Sequence, residues 1–190
     1  MTAGGRSDRQ PTDGDRFEGF VRNYQDMVFA TAVRLLGNAA EAEDVAQTVF
    51  LRSFERFAVV AGMESPAGWL KTVTTNLCLN HLTRYRARWQ SLNDPDAAGD
   101  SRASGSPAPL SSLPSPLAAL ETADRASRLE RALHSLPDRQ RVPLVLFHFE
   151  EMSYQDIASR LGVSVAKVKI DIHRGRERLR KELSVLDEAR

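Results

Sequence analysis

The chain carries one cysteine, Cys78, in 190 residues. An internal disulfide is excluded, and such thiol usage fits a reducing compartment. No apolar run approaches the roughly 20 residues that a membrane-spanning helix needs. The opening MTAGGRSDRQPTDGD has no apolar signal core, so a soluble, cytoplasmic protein is expected. Strand-type alternation is missing throughout, which points to an all-α chain. There is no glycine-rich phosphate loop and no nucleophile elbow. The four histidines (His81, His134, His148, His173) are scattered, and none stands at metal-ligand spacing from Cys78. His148-Phe-Glu-Glu is only superficially like a zinc-protease helix, and the second histidine is missing. Enzymatic chemistry, a metal and other cofactors are therefore not expected.

Charge is nearly balanced at +1, but the balance hides a polarised chain. Arg16 to Glu64 holds five basic and seven acidic residues, whereas Ser65 to Leu92 holds Lys71, Arg84, Arg86 and Arg88 and no acid. Between Arg160 and Lys181 eight Lys or Arg face only Asp171 and Glu177. Two basic surfaces, one in each half, are what phosphate contact requires.

The second basic surface has a recognisable scaffold. Ser153 is placed to cap a short helix with Ile157, Ala158 and Leu161 on one face. Gly162 can take the left-handed conformation of a tight turn. Ser164 can cap a second helix whose apolar positions are Val165, Val168, Ile172, Gly175, Leu179 and Leu183. That is a helix-turn-helix, whose second helix enters the DNA major groove.

Upstream, residues 1–14 are polar and read as a disordered tail. Phe17, Phe20, Val21, Tyr24, Met27, Val28, Thr31 and Leu35 then recur at helical spacing until Gly37. Asn38 and Glu41 resemble a capping box. The next helix is expected to bury Val45, Val49, Phe50, Phe54 and Phe57. After a loop, AVVAGME, Ser65-Pro66 starts a third helix that runs through Trp69, Leu70, Val73 and Leu77 toward Arg88. Residues 93–116, with five prolines among Ser, Ala, Gly and Asp, cannot build a core and read as a flexible tether. Leu117, Leu120, Leu129 and Leu133 begin a further helix, and another runs from Asp138 to about Phe149 with Pro143 inside it. The expected architecture is two small helical domains, 15–92 and 117–190, joined by the 93–116 linker.

Three segments together resemble the extracytoplasmic-function (ECF) sigma factors of bacterial RNA polymerase, which keep only regions 2 and 4. They are AEAEDVAQTVFLRSF with its Asp44-x-x-Gln47 core, SPAGWLKTVTTNLCLNHLTRYRARW with Trp69, Leu70 and Asn76 ahead of a basic tail, and the helix-turn-helix preceded by LPDRQR. The resemblance implies a protein that binds core RNA polymerase, recognises promoter DNA and assists its melting, with an anti-sigma factor as a further partner. Carried over, polymerase contact falls on Asp44, Gln47, Thr48, Leu51 and Arg52. Minus-ten contact falls on Met63, Glu64, Lys71, Asn76, Asn80, Arg84 and Arg88. Asn80 stands where the family often has Asp, and Thr83 where it often has Arg. Minus-thirty-five contact falls on Ser164, Ala166, Lys167, Lys169, Ile170, His173, Arg174, Arg176 and Arg178. Lys167 and His173 are expected near bases, and Lys169, Arg174, Arg176 and Arg178 near phosphates.

Blander readings accompany several of these residues. Glu41, Glu43 and Asp44 also suit the dipole of a helix start. Trp69 has core spacing, whereas Tyr85 and Trp89 stand among arginines. The tether is either a spacer or an acidic strand directed at the RNA path. A conventional helix-turn-helix regulator would explain the C-terminal half equally well. It leaves the acid-free third helix and the Asp44–Gln47 segment without a purpose.

Overall fold

The computed structural model describes residues 12–84 and 116–188, and the described residues form helices only. The helices are α1 (Asp13–Leu36), α2 (Ala39–Glu55), α3 (Phe57–Ala61), α4 (Pro66–Arg84), α5 (Pro116–His134), α6 (Asp138–His148), α7 (Tyr154–Leu161) and α8 (Val165–Glu188). Most of the expected linker, 93–116, and the basic tail at 85–92 lie outside the described residues. No helix among the described residues is long and apolar enough to cross a membrane.

Local chemistry sets each helix end. The Asp15 N–H donates to Thr12 Oγ1 at 3.2 Å and the Thr12 N–H to Asp15 Oδ2 at 2.9 Å, a reciprocal capping box. Helix α1 therefore starts inside what the sequence reads as tail. It ends at Gly37, whose φ of 70° an L side chain would resist. At α2 the box is only half built. Asn38 Oδ1 accepts from the N–H groups of Ala40 and Glu41, but the Glu41 carboxylate turns to His81 on α4 at 3.0 Å. The stretch read as a loop after α2 contains the one-turn helix α3, seated by the fully buried Val60. Helix α6 runs on through Pro143.

In the first group, α1, α2 and α4 enclose Val28, Leu35, Val45, Val49, Leu70 and Cys78. Phe17 closes one end, edge-on to Phe54 at 4.9 Å and to Phe57 at 5.2 Å. In the second group, α5 to α8 enclose Leu133, Leu136, Leu146, Ile157, Val168 and Ile172. Helix α8 comes unusually close to α6 at Gly175. A Cβ there would lie 3.0 Å from Leu144 Cδ1 and 3.3 Å from the Gln140 carbonyl oxygen. Any side chain would hold the two helices apart.

The two groups also pack on each other through α1 against α5 and α6, and through α4 against α7. Arg34 on α1 donates to Glu130 on α5 at 2.7 Å, and its guanidinium lies 4.6 Å from the centre of the Phe149 ring. Deeper in, the Arg141 guanidinium donates to the carbonyl oxygens of Leu36 and Leu136, both at 3.0 Å, and to Asp138 at 2.6 Å. Arg141 is 3% exposed, so water cannot replace those donors.

Arg141→Ala should therefore cost about 3 kcal/mol, the sum expected for stripping donors from two buried carbonyls. Urea unfolding measures it, and a loss below about 1 kcal/mol would show that water can enter and take over. His134 gives a second test. Burial, and then the Arg141 charge, push its pKa below the ordinary 6.5, only partly offset by Glu130 and the Gly37 backbone. Below 6.5 the unfolded chain takes up this proton before the folded one, so stability falls as pH drops. The loss between about pH 7.5 and 5.5 should be smaller in His134→Gln, read as the shift in urea midpoint. An equal loss in both proteins would sink the assignment.

Candidate nucleic-acid interfaces

Helices α7 and α8 form the helix-turn-helix in the expected register. The Asp156 N–H donates to Ser153 Oγ at 3.1 Å, Gly162 takes φ 69°, and the Lys167 N–H donates to Ser164 Oγ at 3.2 Å. Buried Ile157, Ala158, Val168 and Ile172 lock the two helices together. At ~100° per residue this turns Ala166, Ile170 and His173 to the centre of the exposed face of α8. Ile170 is 50% exposed, a large aliphatic group left half in solvent.

The basic residues of α8 divide between the flanks of that face. Phe147 and Tyr154 stack with ring centres 4.7 Å apart, and Lys169 Nζ lies 5.7 Å from the centre of Tyr154. Arg176 lies 5.4 Å from the centre of Phe147 and donates from Nε to His148 Nε2 at 3.0 Å. These cation–π contacts aim both cations along one edge of α8. Arg174 and Arg178 are exposed toward the other edge. Lys167 differs from its expected place near bases. It is half-buried and pairs with Asp171 at 3.1 Å, and Asp171 is itself only 4% exposed. His173 is exposed and 3.6 Å from Glu177.

Helix α4 carries Lys71 and Arg84, the described part of the first basic segment. Ser65 Oγ accepts from the Gly68 N–H at 3.3 Å and Pro66 opens the helix, so Met63 and Glu64 lead directly into its first turn. Met63 is half-buried against the core, whereas Glu64, Asn76 and Asn80 are exposed. Lys71 is half-buried. Arg84 ends the helix, and Tyr85, Arg88 and Trp89 lie outside the described residues. Trp69 packs on the core, as its spacing allows. Cys78 is wholly buried, and burial first, then the Glu150 charge, push its thiol up to about 12. Such a thiol is a packing group rather than a redox sensor.

On α2, Asp44, Gln47, Leu51 and Arg52 are all exposed. Thr48 is half-buried, with its hydroxyl donating to the Asp44 carbonyl at 2.9 Å. The face continues further than the sequence indicates. Phe54, expected inside, is 58% exposed, because Phe17 covers only its edge. Leu51 at 66% and Val59 at 65% flank it. Three large exposed apolar side chains near Asp44 and Gln47 in the chain are of the kind that marks a protein contact.

The structure thus keeps three faces apart: α2 with α3, α4, and α8. Two side chains of the second helical group, for which the sequence indicates no such role, reach α4. Arg160 on α7 donates to Asn76 Oδ1 at 2.6 Å, and Glu150 accepts from the Thr75 hydroxyl at 3.5 Å.

Comparison with known proteins places the chain in a family. Residues 20–88 match the Sigma-70 region 2 family and residues 126–179 match Sigma-70, region 4. The ECF RNA polymerase sigma factor SigW of Bacillus subtilis is 30% identical over 171 residues, 90% of each chain. The RNA polymerase sigma-E factor of Streptomyces coelicolor is 31% identical, covering 90% of this chain and 88% of its own. The RNA polymerase sigma-H factor of Pseudomonas aeruginosa is 30% identical over 93% and 91%. With two region-specific matches in order and similarity along nearly the whole length, the chain belongs to the ECF family of RNA polymerase sigma factors.

Proposed function

We propose that the three faces divide the work of a sigma subunit: α2 and α3 dock on core RNA polymerase, α4 holds the minus-ten element, and α8 reads the minus-thirty-five element. The observation that supports this reading is the exposed apolar and polar face of α2 and α3 in the same chain as the exposed basic face of α8. A conventional regulator needs one DNA face and has no use for Asp44, Gln47, Leu51 and Phe54 in the open. An anti-sigma factor is the further partner that family membership supports, and it would have to compete for these faces.

On α2, a carboxylate and an amide one turn apart can meet a basic, polar partner helix, while Leu51, Phe54 and Val59 supply the apolar contact. On α4, Asn76, Asn80 and Arg84 with Lys71 suit a strand whose bases are unstacked, and Met63 and Glu64 at the helix start suit a flipped base. On α8, Ser164, Ala166, Ile170 and His173 face base edges, while Lys169, Arg174, Arg176 and Arg178 face phosphates on either side. Lys167 works through its pair with Asp171 and orients the first turn.

Reconstitution with sigma-free bacterial core polymerase tests the reading. The protein should co-elute with core and direct promoter-specific transcripts from a promoter library. Asp44→Ala with Gln47→Ala should weaken core binding about 10- to 30-fold, two truncations near 1 kcal/mol each. DNA binding by the chain alone, with no co-elution, would instead favour the conventional regulator. On the assembled holoenzyme, removing Arg174 and Arg178 together should lower the salt dependence of promoter binding by about 0.9 in log–log slope per lost phosphate contact. An unchanged slope would place those cations off the backbone.

A further inference from the structure

The first turns of α8 carry little that reads a base edge by hydrogen bonding. Side chains that discriminate bases in that way are Arg or Lys on guanine, Asn or Gln on adenine, and Asp or Glu on cytosine. Residues 164–170 hold none of these except Lys167 and Lys169. Both lysines are engaged within the fold. Lys167 pairs with Asp171 at 3.1 Å, and Lys169 sits on the flank of the helix, 5.7 Å from the centre of the Tyr154 ring. Ser164 Oγ accepts from the Lys167 N–H at 3.2 Å as the helix cap. At the centre of the exposed face stand Ala166 and, one turn on, the half-exposed Ile170. They lie about 6 Å apart along the helix axis, close to two base steps of ~3.4 Å. Lys169 and Arg176 on one side, and Arg174 and Arg178 on the other, are placed for phosphates. An aliphatic group between two such rows meets the floor of the groove rather than its walls. The major groove offers it one apolar partner, the 5-methyl group of thymine.

We propose that Ile170, with Ala166 beside it, is a specificity-determining residue that selects thymine in the minus-thirty-five element through its 5-methyl group. The inference rests on the sigma reading above and names what α8 reads. Burying one methyl favours thymine about 4-fold over the same base without it. The contact senses the methyl and not the hydrogen-bonding pattern of the base. It therefore extends to cytosine, once cytosine carries a methyl at the same carbon.

Holoenzyme made from the full chain and sigma-free core polymerase provides the test, on a promoter that it selects from the library. Thymines of the minus-thirty-five element are replaced one at a time by deoxyuridine, which removes the methyl and keeps every hydrogen bond. At one or two positions binding of labelled duplex, read by anisotropy, should fall about 4-fold. At those positions 5-methylcytosine should bind better than cytosine by a similar factor. Ile170→Ala should weaken binding to the thymine promoter and abolish the difference between thymine and deoxyuridine, whereas Ile170→Val should keep part of it. Arg174→Ala should weaken both duplexes alike, because a phosphate contact carries no base information. Ile170 is half exposed, so its truncation should leave the urea midpoint near that of the unaltered chain. Deoxyuridine tolerated at every position would overturn the proposal. So would a penalty undiminished in Ile170→Ala, or selected elements that contain no thymine on either strand. If the holoenzyme directs no promoter-specific transcript, the sigma reading falls and this inference with it. If transcription is specific and deoxyuridine is tolerated, only the methyl readout falls.

Discussion

The Arg141 guanidinium is the interaction on which the rest of the arrangement depends. It reaches the carbonyl oxygens of Leu36, where α1 ends, and of Leu136, where the chain leaves α5, and it closes on Asp138 at the start of α6. Carbonyls at a helix C-terminus carry partial negative charge and have no partner within their own helix. A cation there is stabilised where in an apolar core it would be heavily penalised. The geometry leaves no room for error, because a Cβ on Gly37 would fall 2.5 Å from the guanidinium. The same glycine must also hold φ at 70°. A left-handed non-glycine residue there costs about 1–2 kcal/mol, and its Cβ would also force the guanidinium to shift.

Because the helix ends meet at this point, each helical group commits its apolar stripe inward and leaves a different kind of surface outside. The α2–α3 corner keeps Leu51, Phe54 and Val59 more than half exposed to solvent. Leaving that much apolar surface open is unfavourable for an isolated chain and useful for one that docks. On α8 the exposed face is built differently, with a small apolar centre at Ala166 and Ile170 between rows of cations. The Phe147–Tyr154 stack matters here, because it holds Lys169 and Arg176 to one edge of the helix. Fixing long side chains in advance lowers the entropy lost when they meet phosphate.

The outer face of α8 makes no contact of this kind among those described, while α4 meets the second helical group through Thr75 and Asn76. Burial pushes the Glu150 pKa up against the pull of Lys71, Thr75 and Arg34.

The sequence alone determined the helices, most of their ends and the helix-turn-helix. Helical period and caps such as Asn38, Ser153, Gly162 and Ser164 act over three or four residues, a range within which neighbours in sequence are neighbours in space. It also located the polar and basic faces, since a helix with one buried stripe must show the other side. It did not reveal α3, because five residues are too few to display a period. It placed Phe54 inside, because an aromatic at the end of a helix is buried only if another element arrives to cover it. The pairs Arg34–Glu130, Arg141–Leu36 and Arg160–Asn76 join residues 84 to 105 positions apart. Only the tertiary structure could decide them, because they depend on how two helical groups cross and not on any pattern within either.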